Sequence, residues 1–332
     1  MVRVGVIGLG AIGREHLEIY RNIPGVEVTA VADFARNVAE DVAAGRGCAA
    51  FGNATEMLDA GVVDAVTLST PDHLHHHDAV KIMEAGVHLL LEKPIATTVE
   101  ESDDLVRVEE ESNVVAMPGH TLRFANQYIT AKKLVSSGSI GSVIHGNVRR
   151  NNKVNVARRV GGRTSVTFFL GTHDIDALIW IVGERVTAVQ AFASEQRTPD
   201  GGQAVAVTGN LRLAGGGVVA LEAAWSLPDG YPTDIDARLR LVGDNGEVRI
   251  DIHDFGMSCF TNTLTYPVPA SGPVYGAPQG MLYEELSAFL RAVRGEIEIP
   301  VTMREAADAV RVASTIDKAI LSGATEQVTY TW

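Results

Sequence analysis

The sequence predicts an α/β chain in two parts. Residues 1–120 read as a doubly wound parallel sheet, and residues 121–332 as an α+β domain with a mostly antiparallel sheet. Three observations carry this. Apolar, β-branched runs alternate with helical patterns through the first 120 residues. The turn Gly8-Leu9-Gly10-Ala11-Ile12-Gly13 follows the first apolar run and opens a helix, and Asp33 closes the next run. Beyond Ser142, helical stretches thin out and period-two alternation takes over.

In the first part, Val2–Ile7, Val26–Ala32, Val63–Leu68, Val87–Leu91 and Val114–Met117 read as strands. They are apolar without alternation, as in a parallel sheet covered on both faces. Ile12–Tyr20, Val38–Ala44 and Ala79–Ala85 read as helices between them. In the first turn Gly8 permits a tight bend, Gly10 admits a pyrophosphate to the backbone, and Gly13 lets the helix pack against the strand. With Ala11 and Ile12 this forms a dinucleotide cradle at a helix N-terminus, a Rossmann fingerprint. Asp33 is positioned to accept from both adenosine ribose hydroxyls, and a 2′-phosphate there meets a carboxylate, so NAD is expected over NADP. Phe34 offers no cation for such a phosphate; Arg36 is the one residue long enough to swing in.

Ser69-Thr70-Pro71 ends the third long strand, where open α/β sheets bind ligands. Four histidines follow: His73, His75, His76 and His77. His73 and His77 have helical metal-ligand spacing, but no Cys, Asp or Glu cluster complements them. They are read instead as a helix start lining a cofactor cleft, with no metal. Glu92-Lys93-Pro94 follows three leucines at the end of the next strand, and Thr98-Val99-Glu100-Glu101 is a capping box. Lys93 therefore sits in a short fixed turn beside the expected nicotinamide. There it can hydrogen-bond to, or exchange a proton with, a substrate hydroxyl.

In the second part Val186–Ala193, Ala204–Leu213, Val218–Trp225, Ala237–Val242 and Glu247–Ile252 alternate as strands. Asp244-Asn245-Gly246 and Gly215-Gly216-Gly217 join neighbours as turns. Two late helices, near Leu282–Val293 and Arg304–Leu321, either pack on this sheet or return to the first domain. Val207, Leu211, Val219 and Leu221 either supply an apolar patch for a sheet-to-sheet dimer or form core. Gly171-Thr172-His173-Asp174-Ile175-Asp176 opens a helix whose start presents His173, a group that titrates near neutrality and suits acid–base work.

The net charge of -13 argues against nucleic acid and anionic membranes as partners. No apolar run approaches membrane-spanning length, and the opening MVRVGVIGLG shows no secretory leader. The two cysteines, Cys48 and Cys259, lie far apart, so no structural disulfide is expected and a reducing cytoplasm fits.

The chain resembles the glucose–fructose oxidoreductase / inositol dehydrogenase / rhizopine-catabolism (Gfo/Idh/MocA) family along nearly its whole length. The likeness rests on GLGAIG, STPDHLH (69–75), AGVHLLLEKP (85–94), GHTLRF (119–124), SGSIGSV (137–143) and GTHDID (171–176). It implies an NAD(P)-dependent oxidoreductase of sugars, cyclitols or their derivatives. It also implies a C-terminal domain with a large open sheet for substrate binding and homodimer or homotetramer assembly, a cis Lys93–Pro94 peptide, and a catalytic His173. The family often carries an aspartate four residues before that histidine; this chain has Phe169. Asp174 or Asp176 either substitutes for it or only caps the helix.

The expected site has Lys93 and His173 as the catalytic pair. Gly8, Gly10, Ala11, Ile12, Gly13, Asp33, Thr70, Pro71, His75 and Glu92 serve the cofactor, and Arg123, Asn152, Arg163 and Asp174 serve the substrate. Nine of the 28 cations and none of the 41 acids fall between Asn113 and His173, six of them in Arg149–Arg163, which reads as a loop. An anionic substrate and an acidic subunit neighbour both fit that cluster. The leading function is a cytoplasmic NAD-dependent dehydrogenase of a sugar or cyclitol CH–OH. The alternatives are an NAD-dependent lyase or glycosidase working by transient oxidation, and a non-catalytic NAD-binding regulator.

Overall fold

Short β-branched runs form the first sheet. Its strands are β1 (Val2–Ile7), β2 (Val26–Ala32), β3 (Ala49–Phe51), β4 (Ala65–Leu68), β5 (His88–Glu92) and β6 (Ala116–Gly119). They run in the order β3-β2-β1-β4-β5-β6, every pair parallel. The order reverses between β1 and β4, which opens a crevice at the carboxyl ends of those strands. The connecting helices are α1 (Ala11–Tyr20), α2 (Arg36–Ala44), α3 (Ala54–Asp59), α4 (His75–Glu84) and α5 (Val99–Glu111). Half of the expected capping box at α5 forms, with Thr98 Oγ1 accepting from Glu101 N at 3.1 Å, while the Glu101 carboxylate reaches back to Thr97 N at 3.3 Å. β3 and α3 were not legible in the sequence: three residues and six residues are too short to show a period.

The computed structural model describes residues 1–160, 162–199, 201–253, 259–260, 264–265 and 276–332. The chain divides into two compact units, Met1–Phe124 with Ser271–Ala307, and Ala125–Ala270 with Asp308–Trp332. The first unit thus takes in a late segment beyond residue 120. Helix α9 (Met281–Val293) belongs to the first unit, where Leu286, Phe289 and Leu290 join the core of Val4, Val6, Leu17 and Tyr20.

The second unit carries α6 (Asn126–Ser136), β7 (Val143–Lys153), α7 (Val154–Val160), α8 (Thr172–Val182) and β8 (Val186–Ala193). There follow β9 (Ala206–Leu213), β10 (Val218–Leu227), β11 (Ile235–Gly243), β12 (Glu247–Asp251), β13 (Cys259–Phe260) and β14 (Leu264–Thr265). The chain ends with α9 (Met281–Val293), α10 (Met303–Ser322) and β15 (Glu326–Gln327). The seven-stranded sheet runs β12-β11-β7-β10-β9-β8-β15. All its pairings are antiparallel except β7 with β10. Both expected turns join neighbouring strands, β9 to β10 and β11 to β12.

One sequence expectation changes here, and one open alternative is decided. Most of Arg149–Arg163 is not a loop: it comprises the end of β7 and the whole of α7. β7 tolerates its polar run because the side chains find partners. Arg149 pairs with Asp236 at 2.6 Å, Arg150 with Asp174 at 2.7 Å, Asn151 with Glu222 at 2.6 Å and Lys153 with Asp234 at 3.0 Å. Of the two readings of Val207, Leu211, Val219 and Leu221, core is the one the structure supports: all four are buried within the chain. The open sheet face is the other one, carrying Asn147, Arg149, Gln190, Phe192, Thr208 and Asn210 around a cavity of about 370 Å³. Cys48 is a free thiol; the Cys259 side chain, expected to form no disulfide, lies outside the described residues. Among the described residues no helix is long and apolar enough to cross a membrane.

Candidate functional site

Each glycine of the first turn has its own steric reason. Gly8 has φ +90°, and a Cβ there would lie 2.7 Å from the main chain of Ser69 and Thr70. A Cβ on Gly13 would lie 1.9 Å from the Gly8 carbonyl oxygen, so only glycine lets α1 approach β1 this closely. A Cβ on Gly10 would meet nothing within 4 Å, which leaves its backbone open to a ligand. No side chain caps α1. Its first-turn N–H groups, including those of Ala11 and Ile12, are therefore not taken by a cap and suit a pyrophosphate. Ser69 locks this cradle by donating its hydroxyl to the Gly8 carbonyl at 2.8 Å.

Asp33 follows β2 and is oriented by two backbone donors, Leu9 N at 2.8 Å and Ala35 N at 2.9 Å. Each carboxylate oxygen keeps a lone pair for a ribose hydroxyl. Phe34 is fully exposed. Arg36, the cation that could meet a 2′-phosphate, is instead paired with Glu56. The accepting Asp33 carboxylate and the engaged Arg36 fit NAD.

Lys93 is half-buried in the turn after β5, and the Lys93–Pro94 peptide is cis, as the resemblance implied. Glu92 does not extend toward solvent; it is 8% exposed and meets His16 Nε2 of α1 at 3.2 Å. Glu285 of α9, fully buried, completes the cluster: one ligand-type atom each of His16, Glu92 and Glu285 lies within 4.8 Å of the others. Thr121 Oγ1 donates to Glu285 at 3.3 Å. Burial pushes the Glu92 carboxyl up, but His16 and Lys93 beside it outweigh that and hold the group below its ordinary value. Nothing in the sequence announced this cluster, because its members are separated by whole elements. His75 is buried, and its two ring nitrogens face the carbonyl oxygens of Pro94 and Thr70. His76 meets Asp104 at 2.8 Å, and His73 is half-exposed. Arg123, expected to bind substrate, is buried and paired with Glu305 at 2.8 Å.

In the second unit a π-helical turn, Thr167–Gly171, leads into α8. His173 is half-buried in the first turn of α8. Asp174, also expected to bind substrate, is 2% exposed and accepts from Arg150 at 2.7 and 3.3 Å. Burial pushes its carboxyl up, and Arg150 opposes that. Tyr128 lies near this pair, its hydroxyl pushed up to about 12 chiefly by burial. Phe169 packs obliquely on Trp225, with ring centroids 5.9 Å apart. An aromatic contact thus occupies the place where the family often has a carboxylate, and Asp174 is committed to Arg150. Asn152 is buried, its side-chain oxygen accepting from Lys153 N at 2.7 Å. Arg163 is exposed and donates to the Val160 carbonyl at 2.7 Å.

Comparison with known proteins follows the same division. Residues 2–120 match an oxidoreductase family with an NAD-binding Rossmann fold, and residues 128–249 match the GFO/IDH/MocA C-terminal domain. An inositol 2-dehydrogenase of Saccharopolyspora erythraea is 30% identical over 261 residues, covering 75% of this chain and 74% of that protein. A 2,7-anhydro-N-acetylneuraminate hydratase of Escherichia coli K12 is 25% identical, covering 76% of this chain and 68% of that protein. The crystal structure of scyllo-inositol dehydrogenase from Lactobacillus casei with NAD(H) and scyllo-inositol has the same fold. It superposes with a TM-score of 0.86 over 99% of each chain at 19% identity. The likeness read from the sequence motifs holds, and the chain belongs to the GFO/IDH/MocA family of NAD-binding oxidoreductases.

Proposed function

We propose that the protein is an NAD-dependent dehydrogenase oxidising a CH–OH of a sugar, a cyclitol or a derivative of one. The observation that carries this reading is the fixed Lys93 turn at the end of β5, in the same unit as a glycine cradle and an Asp33 that suit NAD. The inositol dehydrogenase relative supports it. NAD, when bound, supplies the hydride acceptor. Lys93 is assigned to hydrogen-bond the substrate hydroxyl and stabilise the charge that develops on its oxygen, and His173 to take the proton. Asp33 orients the adenosine end by its ribose hydroxyls.

A second reading has its own support. Phe169 removes a carboxylate the family often uses, and the hydratase relative catalyses a reaction whose name records no net oxidation. In that reading the same residues serve a transient oxidation followed by elimination or addition, with no NADH accumulating.

The anionic-substrate idea narrows to Arg158, Arg159 and Arg163, because Arg149, Arg150 and Lys153 are paired within the chain. Assembly as a homodimer or homotetramer is assigned to the open sheet face, where Phe192 is 65% exposed. The deciding experiment incubates the protein with NAD and a panel of sugars, inositols, sugar acids and sugar phosphates. NADH formation with one class supports the dehydrogenase. Product without NADH supports transient oxidation, and neither outcome across the panel overturns both.

A further inference from the structure

His75 is the first residue of α4 and is 1% exposed. Its Nδ1 lies 2.7 Å from the Pro94 carbonyl oxygen and its Nε2 lies 2.8 Å from the Thr70 carbonyl oxygen. Both partners are acceptors only. A neutral imidazole has one N–H, so one of these contacts would set a nitrogen lone pair against a carbonyl oxygen; the imidazolium donates to both. The two carbonyls belong to different segments. Thr70 follows β4, at the switch point of the sheet, and Pro94 follows β5, next to Lys93. β4 and β5 are neighbours in the sheet, so the ring spans their carboxyl ends.

We propose that His75 is a positioning residue for the reaction: it bridges the Thr70 and Pro94 carbonyls as an imidazolium and so fixes the Lys93 turn against the cofactor loop. The proposal rests on the reading above that Lys93 acts on the substrate. A displacement of about 1 Å at a reacting group costs on the order of 100-fold in rate, which is the scale on which such a tie matters.

The charged groups around the ring decide its proton. Burial is the largest influence and holds the imidazole below its ordinary value; the two carbonyls, Glu92 of β5 and Asp72 of the preceding turn oppose it. Asp78, one turn further along α4, also faces the ring electrostatically. Lys93 and His16 adjoin Glu92, and Glu285 is the further acid in that cluster. The carbonyl geometry is the feature that a neutral ring cannot satisfy.

Two measurements on the full-length protein test this. Long-range ¹⁵N spectra of the histidine rings, assigned by comparison with His75→Gln, read the protonation state directly and need no activity. The expected result is a ring with both nitrogens protonated through about pH 7, above the range in which an isolated buried histidine would hold its charge. The kinetic series compares His75→Gln, which keeps one donating nitrogen, with His75→Phe, which fills the space and keeps none. The expected kcat losses are about tenfold and about 100-fold, with the NAD Kd changed less than about threefold. A ring that is neutral at every pH from about 5 to 8 overturns the proposal, as does a Phe variant that turns over as fast as the Gln variant. Lys93→Met is run alongside. If it retains turnover the catalytic reading fails, while the spectra still judge the charge on His75.

Discussion

Asp174 accepts two hydrogen bonds from the Arg150 guanidinium, and both residues are buried in the second unit. The pair joins β7 to the first turn of α8, the turn that carries His173. Removing one partner strands a charge in a region that excludes water. Asp174→Ala is expected to lower unfolding free energy by about 3–5 kcal/mol, whereas Arg150→Met with Asp174→Leu loses less. Urea titration of the three proteins checks the order. Equal losses would mean that the pair is not the unit that matters.

Cofactor choice follows from Asp33 and from the engagement of Arg36 by Glu56. The protein is expected to prefer NAD to NADP by at least about tenfold in kcat/KM. Asp33→Ser removes the carboxylate, and Glu56→Gln releases Arg36 to meet a 2′-phosphate. The double variant should raise kcat/KM with NADP by about tenfold or more over the parent. An unchanged NADP value would show that Arg36 cannot reach the ribose.

The catalytic assignment separates chemistry from cofactor binding. Lys93→Met and His173→Asn are each expected to lower kcat by about 10²–10⁴, with NAD Kd nearly unchanged by titration calorimetry. Wild-type turnover in the His173 variant would leave Lys93 as the sole proton-handling group.

The Glu305 carboxyl carries a pH prediction. Burial pushes it up, but the charge of Arg123 and the hydrogen bonds from Thr302 outweigh that and hold it below its ordinary value. A carboxyl depressed in the folded state adds stability above its ordinary value of 4.5, and that stability is lost as pH falls through the lower folded value. The fall in unfolding free energy on acidification below about pH 4.5 should therefore be shallower in Glu305→Gln than in the parent. Parallel urea series across that range make the comparison, and identical slopes would remove Glu305 from the linkage.

Much of the first unit was written into the sequence. Parallel strands buried on both faces show as unbroken apolar runs, so β1 and β2 were legible to the residue. Gly8, Gly10 and Gly13 each stand where a Cβ would clash or would fill open ligand space. These are local requirements, and local requirements leave a local trace. β7 left none: Arg149, Arg150, Asn151 and Asn152 resemble a loop until Asp236, Asp174 and Glu222 arrive from elsewhere in the chain. Which face of the second sheet is covered was equally hidden, because alternation defines two faces and only packing chooses between them, so Val207 and Leu211 became core. The same holds for His16 with Glu92 and Glu285, and for His75 between Thr70 and Pro94. A periodic pattern is a property of neighbours along the chain. A buried charge or a bridging ring is a property of segments that meet only when the chain has folded, and so only the tertiary structure decided what these residues do.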